Sequence, residues 1–257
     1  MLERICLGWR VLATGLSFLL FGLGGLLLRA LVFPLLSLCI LDRGVRVRAA
    51  RATVRLSFRL FVGIMRVLGV LRYEVRGLEK LEREGQLILA NHPTLIDTVF
   101  LMAFVRNADC IVKSGLWNNP FTGGPVRAAG YVRNDSGTQL VEDCIVSLRA
   151  GSNLIIFPEG TRTPRGGAME LKRGAANIAV RGARAVTPVL ISCEPLTLGK
   201  GDKWWRVPPR QASFRIEVMD DIAPERFTGP DVPDVVAARR LTEYLQHYFM
   251  NEGQQHA

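Results

Sequence analysis

QLILANHPTLIDTVFLMA, residues 86–103, runs from an unbroken aliphatic stretch through a polar turn into a helical pattern. A short apolar run bounded by turn residues is the signature of a buried strand, here expected over residues 86–90. Pro93 suits the first position of a helix, which makes His92 the expected N-cap, and Leu95, Ile96, Val99, Phe100 and Ala103 supply an apolar side. The same strand-then-helix unit recurs down the chain. Further strands are expected over residues 110–113, 154–157 and 185–192, and further helices over 140–148, 171–181 and 235–249. Strands alternating with helices specify an α/β fold with a largely parallel central sheet flanked by helices. Residues 206–219, RVPPRQASFRIEVM, read as edge strands and make the sheet mixed.

Upstream the composition changes. Residues 11–41, VLATGLSFLLFGLGGLLLRALVFPLLSLCIL, are interrupted only by Arg29 and Pro34. A helix crosses the hydrocarbon core with about 20 apolar residues, so this segment is expected to meet a membrane. A secretory signal has a shorter core followed by a small-residue cleavage site, and retention as an anchor is the expected outcome. The formal charge of the 257 residues is +10, from 33 basic and 23 acidic side chains. Arg43, Arg46, Arg48, Arg51, Arg55, Arg59 and Arg66 follow the apolar run directly, where clustered arginines attract anionic headgroups and mark a cytoplasmic flank. On a helical projection Arg48, Arg51, Arg55, Arg59 and Arg66 share one sector, with Leu60, Ile64, Leu68 and Leu71 opposite. This reads as an interfacial amphipathic helix over residues 44–72. Basic residues on both sides of the apolar run leave a single crossing and a re-entrant hairpin both open.

The expected organisation is therefore membrane-anchoring helices over residues 1–72 and an α/β domain over 73–257. Five scattered cysteines without metal-type spacing signal neither a disulfide framework nor a zinc site, and place the domain on the reducing, cytoplasmic side of its membrane. No groove-reading motif or interleaved aromatic platform accompanies the basic stripe, which excludes a nucleic-acid binder. Trp204 and Trp205 beside Lys203 read either as an interfacial contact or as partly buried core residues.

Of three histidines, His247 and His256 fall in a terminal helix and a polar tail. His92 stands at a strand's end with Asp97 five residues on. An imidazole can take a proton from a hydroxyl, and a carboxylate on its other nitrogen fixes the tautomer and supports the imidazolium. A structural reading, a helix cap with a carboxylate near the helix's positive end, fits these two residues equally well. Residues 155–163, IIFPEGTRT, end a strand at Pro158 and then present Glu159, Gly160, Thr161 and Arg162 in one loop. A guanidinium fork and a glycine that lets backbone amides approach make an anion clamp. GYVRND (130–135) adds Arg133, and LKRGAAN (171–177) adds Lys172 and Arg173.

Taken in order, NHPTLID (91–97), GYVRND, FPEGTRT (157–163) and VTPVLI (186–191) resemble the four motifs of the glycerolipid acyltransferases related to 1-acyl-glycerol-3-phosphate acyltransferase. IVKSGLWNNPFTGG (111–124) is similar to that family's stretch between its first two motifs, with Lys113 at the recurring lysine. Tyr131 and Val132 depart mildly from the second motif. The resemblance implies a membrane-bound transfer of a fatty acyl group from a thioester of coenzyme A or acyl carrier protein to the free hydroxyl of a lysolipid. The foremost acceptor it implies is 1-acyl-glycerol-3-phosphate, with lyso-ornithine lipid or another lysophospholipid as alternatives. It assigns His92 as general base and Asp97 as its orienting acid. Asn91, Lys113, Arg133, Glu159, Gly160, Thr161, Arg162 and Lys172 become the expected acceptor-binding residues. No metal or resident cofactor is called for, and no G-x-S-x-G serine elbow is present. A non-catalytic membrane lipid-binding or scaffold protein is the rival from a different class.

Overall fold

The computed structural model describes residues 2–135, 137–164 and 169–255, so His256 lies outside it. The chain opens with α1 (Leu2–Leu27), a π-helical turn (Leu28–Val32), α2 (Phe33–Cys39) and α3 (Arg43–Val67). Pro34 sits at the start of α2 and lacks the N–H that regular α-helical pairing needs. The preceding turn widens, with Phe33 N–H reaching back to Leu28 O. Asp42 caps α3 by accepting from Val45 N–H at 2.7 Å, and Gly69, at φ 73°, supplies the left-handed residue just beyond its end.

The sheet follows: β1 (Leu71–Arg76), β2 (Leu87–Ala90), α4 (Asp97–Phe104), β3 (Ala108–Val112), α5 (Ser114–Asn118), α6 (Gly123–Ala128) and β4 (Val132–Arg133). Next come α7 (Leu140–Arg149), β5 (Asn153–Ile156), α8 (Gly174–Gly182), β6 (Val186–Glu194), β7 (Ala212–Val218) and α9 (Asp234–Gln255). The strand order is β1-β7-β6-β2-β5-β3-β4, and only the β6–β7 pairing is antiparallel. The mixed, largely parallel sheet expected from the sequence is the one observed. β2 shows why its reading was secure. Its four residues are fully buried, with Ile88 and Ala90 packing on one side with α3 and α4, and Leu87 and Leu89 on the other with α7, α8 and α9.

Four sequence expectations are corrected. β7 is an interior strand, parallel to β1 on one side and antiparallel to β6 on the other; β1 covers the edge that β7 was expected to form. His92 is not an N-cap: α4 begins at Asp97 with Ile96 in the cap position, because the His92 backbone is bonded to Glu159 and Thr163 instead. A helix starting at Pro93 would put Asp97 in its second turn; Asp97 instead stands in the first turn of α4.

The arginine sector of α3 is not a uniformly outward stripe. Arg51 is buried beside Ala50, Val54, Val62 and Met65, while Leu56 and Leu60 face outward. Arg51 turns inward because its partners are there. It pairs with Asp109 Oδ2 at 2.8 Å and donates to Ala129 O, Asn107 Oδ1 and the Ser152 hydroxyl. Burial pushes the Asp109 carboxyl upward, and Arg51, the Ser147 hydroxyl and Cys110 N–H act against that shift. A buried ion pair satisfied in this way joins α3 to the sheet.

Among the described residues one helix is long and apolar enough to cross a membrane by length and composition, Cys6–Cys39. Its inner side is held on the rest of the chain. Trp9 donates to Leu68 O, Phe21 packs on Phe58 and Phe61, and Arg29 donates to Pro120 O. Leu12, Leu19, Leu23, Leu31 and Leu38 form its exposed side.

Candidate active site

Parallel strands leave their C-terminal ends on one edge of a sheet, the edge where α/β folds assemble ligand sites. The turn after β2 carries His92 there, the turn after β5 carries Glu159, Lys113 follows β3, and Arg133 ends β4. The chain leaving β2 is pinned at once. Asn91 accepts from Ile191 N–H at 2.7 Å and donates to Ile191 O at 2.8 Å, so its amide is occupied in tying β2 to β6.

The His92 ring is fixed from three directions. Nδ1 meets Asp97 Oδ2 at 2.9 Å, Phe157 stacks on the imidazole with centroids 4.2 Å apart, and the backbone is clamped at both ends of the residue. His92 N–H donates to Glu159 Oε1 at 2.9 Å, and His92 O accepts from Thr163 N–H at 2.8 Å. Nε2 makes no hydrogen bond among the described residues, and the side chain is 16% exposed. The free nitrogen is the one that a proton-bearing group can reach.

Asp97 is fully buried and surrounded by donors: Thr94 N–H at 2.6 Å, the Thr94 hydroxyl and His92 Nδ1. Burial pushes its carboxyl upward while these partners oppose the shift. A carboxylate accepting from backbone, hydroxyl and ring fixes the His92 tautomer with the proton on Nδ1, leaving Nε2 as the acceptor.

Glu159, 5% exposed, accepts from His92 N–H and the Thr163 hydroxyl, and burial raises its carboxyl above the ordinary range against those two bonds. Its observed contacts are to the protein. Gly160, at φ 68°, has the backbone conformation that favours glycine, and a Cβ there would come within 2.9 Å of Lys172 Nζ, which places that ammonium directly over the loop. Arg162 spends one guanidinium nitrogen on Leu198 O and Gly199 O, and Leu198 O also accepts Leu95 N–H. Thr161 is exposed beside it.

The structure thus joins His92, Asp97 and Glu159 in one hydrogen-bonded cluster, with Asn91 beside it tied to β6 and Gly160, Thr161, Arg162 and Lys172 on or against the adjoining loop. Lys113 and Arg133 share the sheet edge, two and three strands from β2. Arg133 pairs with Asp135 and lies over the Trp117 ring at 5.1 Å.

Sequence reasoning missed Thr94, Phe157 and Thr163. Thr94 was readable, since Thr-x-x-Asp ahead of an apolar helix is a capping-box spacing. Phe157 and Thr163 act through a non-local fold-back that no local pattern reveals. No group of His, Cys, Asp and Glu able to hold a metal is present among the described residues.

Comparison with known proteins adds four findings. A family model described as Acyltransferase matches residues 72–192. A 1-acyl-sn-glycerol-3-phosphate acyltransferase of Pseudomonas aeruginosa is 31% identical over 137 residues, covering 51% of this chain and 53% of the relative. One of the same name from Helicobacter pylori is 28% identical over 174 residues, covering 64% and 70%. The match thus spans about half the length of the first of these relatives. The crystal structure of the 1-acyl-sn-glycerophosphate (LPA) acyltransferase PlsC of Thermotoga maritima superposes with a TM-score of 0.70 at 20% identity, covering 98% of this chain and 97% of that one. That likeness extends the shared fold over the N-terminal helices.

Proposed function

We propose that the chain, whose residues 72–192 match the family model described as Acyltransferase, transfers an acyl group from a thioester to the free hydroxyl of a lysolipid, foremost 1-acyl-glycerol-3-phosphate. The observation that carries the reading is the His92–Asp97 pair with Nε2 left open at the C-terminal edge of the sheet. His92 Nε2 accepts the hydroxyl proton as the lysolipid oxygen attacks the thioester carbonyl. The C–S bond then breaks, and the imidazolium returns the proton to the departing thiolate. Asp97 stabilises the imidazolium in between, and no acyl-enzyme is required. The hydroxyl is itself the nucleophile.

Lys172 and Arg162 supply positive charge on the loop beside His92, with Arg133 and Lys113 farther along the edge, an arrangement suited to an acceptor carrying a phosphate. Glu159 and Asn91 act on the protein side, holding the His92 turn rather than the substrate. The helical run ending at Cys39 supports attachment to a membrane surface. Because Trp9, Phe21 and Arg29 hold its inner side on the chain, the exposed leucines enter one face of the bilayer while the helix stays docked.

Incubating the purified chain with one acyl thioester and a panel of lysolipids tests this reading. Phosphate-bearing 1-acyl-glycerol is expected to be acylated fastest, with free thiol released in equal amount. Preferential acylation of a phosphate-free lysolipid would move the acceptor assignment, and no acylation of any lysolipid would remove the activity.

A further inference from the structure

The connection between α2 and α3 lies over a cleft of about 490 Å³ against α6, sharing no lining residue with the His92 site. Four arginines line it, Arg29, Arg43, Arg46 and Arg127, and no carboxylate does. None of the four forms an ion pair among the described residues. Some arginines elsewhere in the molecule meet acids, as at Arg51–Asp109, Arg83–Asp221 and Arg181–Glu142; these four instead converge on one cleft. Here the cationic charge is left uncompensated.

Three of these side chains are held in place by the backbone. Arg29 Nη1 donates to Pro120 O at 3.0 Å, Arg46 Nη1 to Ile40 O at 3.0 Å, and Arg127 Nη1 to Trp117 O at 2.5 Å. Each spends one guanidinium nitrogen in this way, and the rest of each planar fork has no partner among the described residues. The Arg43 side chain makes no hydrogen bond among the described residues. The approach of Arg29 is built in: it stands on the π-helical turn, and a Cβ at Gly124 would come within 2.6 Å of its own Cβ. π-turns of this kind recur at functional positions. Guanidinium forks already restrained by one bond lose little further freedom on meeting an oxyanion, and they match phosphate oxygens in geometry. Apart from Ser37 the rest of the lining carries no polar side chain, with Phe33, Leu36 and Val47 among it, and exposed Leu35, Leu38 and Leu41 are close by in the chain.

We propose that this cleft is an anion site, separate from the His92 edge, that binds the phosphate of an organic phosphate ligand. Two sources carry that chemistry: the headgroup of an anionic phospholipid in the bilayer that meets the leucine face, and a soluble phosphate ester such as a nucleotide. The site does not depend on the acyl-transfer reading.

The test measures binding to the full chain in uncharged detergent micelles by calorimetry, with two probes, dihexanoyl-phosphatidylglycerol and adenosine 3′,5′-bisphosphate. Two variants are compared with wild type. Arg43→Gln/Arg46→Gln removes two of the charges. Ser37→Glu, at an exposed helical position lining the cleft, introduces a competing carboxylate and decides the matter should the double variant fold poorly. At least one probe should bind the wild type, and each folded variant should weaken it by at least tenfold, while Arg239→Gln on the surface of α9 leaves it unchanged. The probe affected identifies the source. Failure of both probes to bind the wild type, or undiminished binding in Ser37→Glu, would overturn the proposal.

Discussion

Two clusters of ionisable side chains are buried at opposite ends of the parallel strands, and they differ in what they leave open. At the N-terminal end, Asp109 near the start of β3 meets Arg51, and the Arg51 guanidinium is bonded at every nitrogen. At the C-terminal end, Asp97 is as deeply buried and as fully bonded, but its partner His92 retains Nε2 without a hydrogen bond. The first cluster is closed and serves cohesion, tying α3 to the sheet. The second is closed on the acid and open on the base. Completeness of bonding, rather than burial or charge, separates a structural ion pair from a site built to move a proton.

Variants that exchange the two behaviours test this contrast. The largest effect is expected on activity from Asp97→Asn, which places an amide against Nδ1 and removes the carboxylate that supports the imidazolium. Acyl transfer should fall on the order of 10³-fold, with a smaller loss of stability than at Asp109. Next, Asp109→Ala leaves the Arg51 guanidinium buried and unpaired and should cost about 3–5 kcal/mol in chemical denaturation, while Arg51→Met/Asp109→Leu recovers most of that loss. Equal destabilisation by Asp97→Asn and Asp109→Ala would erase the distinction.

A fourth variant addresses the outer surface of α1. Leu19→Ser/Leu23→Ser removes two exposed side chains from α1 and should weaken vesicle binding by about 10²- to 10⁴-fold, on the basis of about 1.5–3 kcal/mol per buried leucine. The fold should be unaffected, because neither residue packs inward.

The smallest effect concerns Glu159. Its folded-state carboxyl is raised above the ordinary value of 4.5, chiefly by burial, so above that pH the unfolded chain releases the proton before the folded one does. The group therefore subtracts stability as pH rises from 4.5 to its folded value, and the loss is constant beyond. Glu159→Gln keeps an oxygen for His92 N–H and removes the titration. Its unfolding midpoint should decline less steeply than that of wild type across this window, and an unchanged slope would show that Glu159 titrates normally.

These two clusters were unequally readable in the sequence. His92 and Asp97 are five residues apart in one turn, so their partnership was within reach of local reasoning, and the ordered motifs tied that turn to Glu159 and Arg162. β2 was legible because four aliphatic residues followed by polar ones have few other uses. Arg51 and Asp109 are 58 residues apart, and nothing local marks one arginine of a run as the one that turns inward; helical projection placed it on the outer stripe because the stripe's other members fit there. The interior position of β7 was hidden for the same reason. A strand's neighbours are set by the whole topology, and RVPPRQ looked like an edge because its prolines precede the paired segment rather than fall within it. The His92 cap failed on a subtler competition: Pro93 favours a helix start, but the bonds from the His92 backbone to Glu159 and Thr163 hold that residue in the turn.

If His92 is the base, acyl transfer by purified His92→Ala, measured alongside its unfolding midpoint, reports on it without an intermediary. Loss of transfer by about 10²- to 10⁴-fold with the midpoint within about 1 kcal/mol of wild type is the predicted result. Transfer at the wild-type rate in a folded His92→Ala protein would contradict it.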